Sequence, residues 1–325
     1  MRIAVTGSLA YDYIMNFPGY FTDHMLMEKA HVLSVSFLVD SMKRLRGGVA
    51  GNIAYTLALL GDQPLIVATV GQDFAEYNVW LARHGVDTSG LTVINDEFTS
   101  SCFINTDQAN NQIVAFYPGA MSQARAISLL DHQLTSNDLV VISPTDPHAM
   151  ERYVIECQQQ GIPYLFDPGK QTPRLEAEHL RLGLKGAGVL MSNDYEFAMM
   201  ARKLETTEEA LIASVPLTIV TRGEQGALIY SNGQLTDEIP VAPVHAVVDP
   251  TGAGDAFLGG LVYGIAHELP LAVAGRIASL AASFCIEQHG CQEHSFSAST
   301  FAERYKQAFG SELPAGALAA VDVER

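Results

Sequence analysis

The sequence predicts an α/β fold in which a central, mostly parallel sheet is flanked by helices and joined by a small β-sheet. From residue 139 onward, short apolar runs alternate with helical stretches, which is the pattern of parallel strands covered on both faces. Residues 13–45 and 93–118 lack this alternation and contain strand-like runs instead. Of the 325 residues, 48% are apolar and 17% are charged, which fits a compact globular enzyme.

The strands are predicted from short apolar runs that are bounded by turn residues. In chain order these runs are residues 3–5, 13–17, 33–39, 65–70, 98–106, 112–118, 139–143, 164–167, 189–192 and 217–221. A polar loop joins the runs at 98–106 and 112–118 with no helix between them, which indicates a hairpin. With the runs at 13–17 and 33–39, this hairpin is expected to form a sheet over an active site.

The helices are predicted from apolar residues that recur every three or four positions. Ile53, Leu57 and Leu60 follow this spacing and begin the first clear helix. Asp73 is the expected N-cap of the next helix, which extends to about residue 84. Two further helices near the C-terminus are predicted at 256–268 and 277–288.

The domain organisation follows from this order of elements. One main α/β domain is expected from residues 1–12, 46–92 and 119–325, with a β-lid formed by residues 13–45 and 93–118. The chain shows no internal repeat and no Pro/Ser-rich linker, which disfavours two independently folded domains.

Charge and composition exclude several classes of protein. Acidic residues outnumber basic ones by 36 to 19, so we expect no nucleic-acid partner, because such binding requires a basic surface. The four cysteines form no CxxC pair and no zinc-ligand spacing, and are expected to be free thiols. Because we recognise neither a signal peptide nor an apolar span, we expect a cytoplasmic protein with no membrane partner.

Two glycines, Gly252 and Gly254, precede Asp255 at the start of a strongly apolar helix. Free N–H groups at a helix N-terminus, together with the helix dipole, favour binding of an anion. An acidic side chain beside such a site can accept a proton from a hydroxyl that attacks a phosphoryl group. An ordinary Gly-rich turn in which Asp caps the helix would show the same residues.

The longer run at residues 248–257 resembles the C-terminal signature of the ribokinase-like (PfkB-type) family of sugar and nucleoside kinases. This resemblance implies a ribokinase-like fold, ATP as the phosphoryl donor and Asp255 as the catalytic base. It also assigns the anion-binding N–H groups to Gly252, Ala253, Gly254 and Asp255.

Two N-terminal motifs extend the resemblance to the substrate. Gly47-Gly48-x-x-x-Asn52 resembles the family signature whose glycines and amide contact substrate hydroxyls. Asp12 corresponds to an aspartate that accepts hydrogen bonds from a vicinal diol, although taken alone it resembles an ordinary exposed loop residue. The resemblance therefore implies that Asp12, Gly47, Gly48 and Asn52 bind the substrate.

The metal ligands are implied by two other segments. Asn193 and Glu196 match an Asn-x-x-Glu element in which Glu196 binds Mg²⁺ through water, although the same residues would also cap a helix. Asp249 and Thr251 correspond to the region that binds a monovalent cation such as K⁺. Dependence on that cation stays open, because backbone ligands leave little trace in a sequence.

The nucleotide site is implied by a turn and a helix. Thr221, Gly223 and Gly226 resemble the turn that contacts ATP, and Asn193 is expected nearby. Ser279 lies on a helix whose small residues border the adenine in this family, although small helical residues more often indicate close packing.

Two positions depart from the family pattern. Pro250 stands where the family often has threonine, and it cannot donate a backbone hydrogen bond. Gly169 stands in place of asparagine in the Asp-Pro-Asn element. The following residue, Lys170, points either toward phosphate or into solvent.

The resemblance implies transfer of the γ-phosphoryl group of ATP to a primary hydroxyl. Residues 115–121 resemble segments of prokaryotic adenosine and nucleoside kinases, so a nucleoside is favoured, with adenosine first. A free furanose sugar is the alternative, and an inactive ribokinase-like binding or regulatory protein is another. Candidates for contact with a base are the apolar lid residues Met15, Phe17, Phe37, Phe103, Phe116 and Tyr117.

A dinucleotide oxidoreductase is disfavoured, because no GxGxxG follows the first strand. Both a monomer and a homodimer remain open.

Overall fold

A nine-stranded sheet forms the centre of the protein in the computed structural model, which describes residues 1–25, 34–314 and 316–318. Its strands are β1 Ile3–Thr6, β4 Leu65–Gly71, β5 Leu91–Ile94, β8 Leu139–Ile142, β9 Tyr164–Phe166, β10 Val189–Asn193, β11 Leu217–Thr221, β12 Ala227–Ser231 and β13 Gln234–Ile239. Their spatial order is β13-β12-β11-β10-β9-β8-β1-β4-β5. All pairs are parallel except those of β12, which runs antiparallel to both neighbours.

The α-helices among the described residues, apart from a one-turn helix at Phe21–His24 that packs in the lid, cover both faces of this sheet. They are α1 Phe21–His24, α2 Val49–Leu59, α3 Ala75–Arg83, α4 Pro147–Gln160, α5 Ala177–Leu184, α6 Asp194–Lys203, α7 Glu208–Ile212, α8 Ala253–Ala266, α9 Leu271–Ile286 and α10 Ala298–Phe309. Alternating strand residues enter different cores: Val5 and Val141 pack on one face, and Ala4 and Val140 on the other. This three-layer arrangement is the α/β fold that the sequence predicts.

A separate four-stranded sheet forms the lid, in the order β3-β2-β6-β7. Its strands are β2 Ala10–Asn16, β3 Ser41–Gly47, β6 Ser100–Thr106 and β7 Gln112–Tyr117. The predicted hairpin is confirmed, because β6 and β7 pair antiparallel. The lid strand that was predicted at residues 33–39 is not observed, because residues 34–39 have no regular secondary structure and residue 33 lies outside the described range. The fourth lid strand is β3, which forms later in the chain.

Three other predictions change at their boundaries. β5 pairs with β4 in the large sheet, so the predicted lid segment 93–118 begins within a strand of that sheet. Asp73 does not cap α3: its carboxylate instead accepts hydrogen bonds from the backbone N–H and hydroxyl of Thr99, and Phe74 is the N-cap. The last long helix, α9, begins six positions before the predicted start at Ile277.

Successive strands are added first on one side of β1 and later on its other side. From β1 the chain proceeds to β4 on one side, and it later returns to β8 on the other side. Such a switch point leaves a crevice at the carboxyl ends of the strands, where ligands bind in open α/β sheets. The backbone N–H of Ser8 donates to the carbonyl of Pro144 at 3.0 Å and joins the two strand ends beside this crevice.

Within the described residues, no helix combines the length and the apolarity that crossing a lipid bilayer would require.

Candidate active site

A cavity of about 350 Å³ opens at the carboxyl edge of the sheet. Its walls come from segments that follow strands β8–β11 and from the N-terminus of α8. The lining residues are Val49, Pro144, Asp167, Gly169, Lys170, Met191, Ser192, Asn193, Glu196, Thr221, Pro250, Thr251, Gly252, Gly254 and Asp255. Three of the predicted segments, near residues 193, 221 and 255, therefore meet at one cavity.

The N-terminus of α8 has the uncapped geometry that is expected of an anion-binding site. Gly252 is the N-cap with a φ of 81°, a left-handed conformation that glycine adopts without strain, and no side chain caps the helix. A Cβ on Gly252 would lie 2.8 Å from Sγ of Cys291, so this turn also packs tightly. Of the four N–H groups that are predicted to bind an anion, that of Ala253 is not free, because it donates to the carbonyl of Pro250 at 3.3 Å.

Asp255 is half-buried in the first turn of α8 and lines the cavity. Its Oδ2 accepts a hydrogen bond from Nδ2 of Asn52 at 2.7 Å. Burial raises the pKa of Asp255 to about 6, while the hydrogen bond from Asn52 and the charge of Lys170 act in the opposite direction. The carboxyl is therefore ionised at neutral pH and is more basic than an exposed aspartate.

The predicted substrate residues lie where α2 begins and the lid joins the large sheet; Asn52 contacts Asp255, and none of the four belongs to the cavity lining given above. Burial raises the pKa of Asp12, on β2. A Cβ on Gly47 would lie 2.6 Å from Oδ2 of Asp12, and one on Gly48, where φ is 90°, would lie 2.5 Å from the carbonyl oxygen of Ser8. The two glycines therefore permit a close approach between this turn and the strand that carries Asp12.

Asn193 and Glu196 form a reciprocal capping box at the start of α6. Oδ1 of Asn193 accepts from the N–H of Glu196 at 2.8 Å, and Oε2 of Glu196 accepts from the N–H of Asn193 at 3.4 Å. The capped-helix interpretation is therefore correct. It does not compete with a role in the site, because both residues also line the cavity.

The carboxylates of this cavity fit a divalent cation. Burial and the charges of Glu196 and Asp255 raise the pKa of Asp167 well above its ordinary value. Burial also raises the pKa of Glu196. Oxygen ligands that repel one another in a partly buried cavity are a donor set that Mg²⁺ would stabilise.

The predicted nucleotide residues separate into two groups. Thr221 lines the cavity at the end of β11, and Gly226 closes the following turn with a φ of 79°. Gly223 lies in the same turn with a φ of 54°. Ser279 lies outside the cavity lining: its hydroxyl donates to the carbonyl of Pro240 and accepts from the N–H of Ala242, each at 2.8 Å.

Asp249 connects two loops next to the α8 N-terminus. Its carboxylate oxygens accept from the backbone N–H groups of Thr251 at 2.9 Å and Gly290 at 3.1 Å. Although burial opposes the shift, these hydrogen bonds lower the pKa of Asp249. Binding of a monovalent cation near Asp249 and Thr251 stays a prediction.

Comparison with known proteins identifies the family. Residues 4–298 match the model of the pfkB family carbohydrate kinases. This chain belongs to the PfkB family. Kinases of this family transfer a phosphoryl group from ATP to an alcohol, so this PfkB member is a phosphotransferase.

Among solved structures, the nucleoside kinase of Burkholderia thailandensis in complex with inosine is 36% identical, with a TM-score of 0.84 over 95% of this chain and 99% of that one. The same protein is known with ADP and inosine. A nucleoside kinase of Methanothermobacter thermautotrophicus is 28% identical over 96% of this chain and 98% of its own length. The ribokinase of Bacillus subtilis is 29% identical over 90% and 94%, respectively. These similarities confirm the predicted ribokinase-like fold.

The sequence leaves two orientations of Lys170 open. The structure places it in the cavity lining, where it is the sole cationic side chain among the described lining residues. Its positive charge opposes the burial that raises the pKa of Asp12, of Glu196 and of Asp255, so Lys170 acts on all three carboxyl groups although its side chain is exposed.

The strand register of the lid decides which apolar side chains share a face with Asp12. Asp12 pairs with Cys102 on β6, and Cys102 pairs with Phe116 on β7, so these three side chains lie on one face. Ile14 and Ile104, two residues further along their strands, lie on the same face.

Five of the six residues that are candidates for contact with a nucleobase do not lie on this face. Met15, Phe103 and Tyr117 occupy the opposite face of the lid sheet, since they have the opposite parity in this register. Phe17 and Phe37 pack against each other and against Phe21, within a small core of the lid. Of the candidates, only Phe116 shares the face of Asp12.

Sequence reasoning missed two polar residues behind the site, Gln292 and Tyr77. Both are buried, and Nε2 of Gln292 donates to Oδ1 of Asn52 at 2.8 Å. Neither residue belongs to a motif with a recognisable spacing, so nothing in the sequence distinguished them from other polar residues.

Proposed function

We propose that this PfkB member phosphorylates a primary hydroxyl of a nucleoside, with ATP as the donor and Asp255 as the general base. One observation carries the proposal. Asp255 combines a raised pKa with a position at an uncapped helix N-terminus, in a cavity that also holds Lys170. A base, an anion site and a cation thus converge where a hydroxyl would meet a phosphoryl group.

In the proposed reaction, the carboxylate of Asp255 takes the proton of the attacking hydroxyl as its oxygen bonds to the γ-phosphorus. The bond from this phosphorus to ADP breaks at the same time, and the electron pair leaves with ADP. The N–H groups of Gly252, Gly254 and Asp255 and the ammonium group of Lys170 stabilise the negative charge on the transferred group.

Mg²⁺ is proposed at the carboxylate cluster, held by Glu196 through water, with Asn193 and Asp167 beside it. When bound, the ion neutralises phosphate charge. Thr221, Gly223 and Gly226 are proposed to bind the nucleotide, and Asp249 and Thr251 to form a site for a monovalent cation such as K⁺.

The substrate is proposed to bind between Asp12 and the Gly47–Gly48 turn. Asp12 accepts hydrogen bonds from two ribose hydroxyls, and Asn52 contributes its amide. The lid, predicted as residues 13–45 and 93–118, then covers the sugar and excludes water.

The lid face beside Asp12 favours a nucleoside over a free sugar. Cys102, Ile14 and Ile104 are partly exposed on this face, and Phe116 is 49% exposed. A free sugar offers hydroxyl groups to such a surface, whereas a nucleobase offers an apolar ring face that would cover it. The relative that binds inosine supports a purine, and adenosine is the favoured substrate.

A free furanose sugar is the second candidate, and the similarity to a ribokinase supports it. The cytoplasm is the proposed location, in agreement with the four free cysteines.

A turnover assay tests the proposal. ADP release from MgATP is measured with adenosine, inosine, cytidine, ribose and fructose as acceptors, with and without K⁺. We expect the highest kcat/KM with a nucleoside. Higher kcat/KM with a free sugar would support the alternative, whereas nucleotide binding without any turnover would indicate a regulatory protein.

A further inference from the structure

A buried chain of hydrogen bonds reaches Asp255 from behind the substrate site. Gln292, which is 1% exposed, donates from Nε2 to Oδ1 of Asn52 at 2.8 Å and to the hydroxyl oxygen of Tyr77. The Tyr77 hydroxyl donates to the carbonyl of Gly47 at 3.0 Å, and Nδ2 of Asn52 donates to Asp255 at 2.7 Å. These five residues link the substrate turn to the base.

The carbonyl of Gly47, at one end of these linked hydrogen bonds, determines which group donates and which accepts in each of them. The carbonyl of Gly47 can only accept, so the Tyr77 hydroxyl commits its single proton to it. The Tyr77 oxygen must then accept from Gln292, which requires the NH₂ group of Gln292 to face it. The second proton of that NH₂ group points at Asn52, whose amide oxygen accepts it.

This sequence of donors and acceptors decides whether the NH₂ group or the oxygen of the Asn52 amide faces Asp255. Rotation of that amide by half a turn would place its oxygen against the carboxylate of Asp255 and its NH₂ group against the NH₂ group of Gln292. Both contacts are repulsive. Gln292 therefore disfavours the rotated state, in which Asp255 would lose its donor.

Gln292 is not placed there by the needs of stability alone. Its Oε1 is buried and has no hydrogen-bond partner among the described residues. The unpaired carbonyl oxygen destabilises the folded state, whereas the NH₂ group of the same side chain satisfies Asn52 and Tyr77. What the glutamine adds is its pair of N–H donors.

We propose that Gln292 is a positioning residue of the kinase, which acts by holding the Asn52 amide with its NH₂ group toward Asp255. The inference rests on the proposed function in one respect, namely that Asp255 is the base. The charged groups that interact with Asp255 besides this chain are Lys170, Glu196, Asp12 and Asp167, and the thiols of Cys285 and Cys291 are the other titratable groups.

Its test begins with a measurement that needs no turnover. The carboxyl carbon of Asp255, labelled with ¹³C and assigned by its loss in Asp255→Asn, is titrated by NMR in the wild type and in Gln292→Met. We expect a higher midpoint in Gln292→Met, because the donor from Asn52 is no longer held in place. Gln288→Met, an exposed position in the same segment, serves as the control and should match the wild type.

Kinetics provide the second measurement. In Gln292→Met, kcat should fall by about tenfold or more, the effect of losing one hydrogen bond to a charged group. The acid limb of kcat/KM should move to higher pH, a shift that a loss of stability alone would not produce. Gln292→Glu should lose more activity, because its carboxylate accepts from the Asn52 NH₂ group and turns the amide oxygen toward Asp255.

An unchanged midpoint for Asp255 in folded Gln292→Met would overturn the inference, whatever the activity. Failure of the wild type to phosphorylate any nucleoside would instead refute the proposed function. The two failures are therefore distinguishable.

Discussion

At the scale of single residues, opposing influences act on the carboxyl of Asp255. Burial disfavours its ionised form, whereas Asn52 and Lys170 favour it. A base that stays ionised at neutral pH but binds a proton more readily than an exposed aspartate is suited to removing a hydroxyl proton. The dependence of activity on pH therefore tests the pKa of Asp255.

The acid limb of activity should report this group. As pH falls through about 6, Asp255 takes up a proton and can no longer act as a base. We expect kcat/KM for the nucleoside to fall by about tenfold per pH unit below that value. A rate profile between pH 4.5 and 8 measures this, and a flat profile down to pH 5 would contradict the assignment.

Substitution of Lys170 should change two quantities together. Lys170→Met removes the cation from the cavity, so kcat should fall by about 100-fold. The acid limb should also move to higher pH, because the charge that favours ionised Asp255 is lost. Lys185→Met, at an exposed position outside the cavity, is the matched control. A lysine that points into solvent would leave both quantities unchanged.

Gly254 provides a test of the anion site that leaves the packing intact. A Cβ at this position meets no atom within 4 Å, so Gly254→Ala should fold normally and place its methyl group in the cavity. We expect kcat/KM for ATP to fall by about 100-fold without a lower melting temperature. Gly188→Ala, which adds a methyl group at an exposed site away from the cavity, should leave activity unchanged.

At the scale of elements, the proposed site makes the lid sheet the surface that a nucleobase contacts beyond the sugar hydroxyls. Phe116→Ala removes the largest apolar group on the Asp12 face, so KM for a nucleoside should rise by roughly tenfold. Phe103→Ala, on the opposite face of the same sheet, is the control. Steady-state kinetics with both variants test this. Equal KM values for Phe116→Ala and the wild type would mean that the nucleobase of the substrate binds elsewhere.

Elements with a strong local signal were predictable from the sequence. The β6–β7 hairpin and the strands from β8 to β11 were correct, because apolar runs and turn residues identify them locally. The strand predicted at residues 33–39 was wrong, since β3 is a polar lid strand of mostly exposed residues that lacks an apolar run. Similarly, the Asp73 carboxylate pairs with Thr99, a tertiary contact that no local rule reveals.

At the scale of the whole molecule, the site is an assembly of distant segments. Asn52 and Asp255 are 203 positions apart, and Gln292 and Asn52 are 240 apart. Motif resemblance predicts both members of the first pair as site residues, and they lie in hydrogen-bond contact. It could not identify Gln292 or the orientation of Lys170, because these depend on how α2, β9 and the segment after α9 meet at the carboxyl edge of the sheet.

Asp255→Asn gives the most direct test of the central claim, which is that Asp255 is the base of a nucleoside kinase. The substitution keeps the shape of the side chain and removes its negative charge, so the fold and ATP binding should be retained. Transfer of the γ-phosphoryl group to adenosine is followed in a single turnover, with ATP binding measured by calorimetry. We predict a rate lower by about 10²- to 10⁴-fold with nearly unchanged ATP affinity. A near-normal rate of transfer in the folded variant would contradict the account.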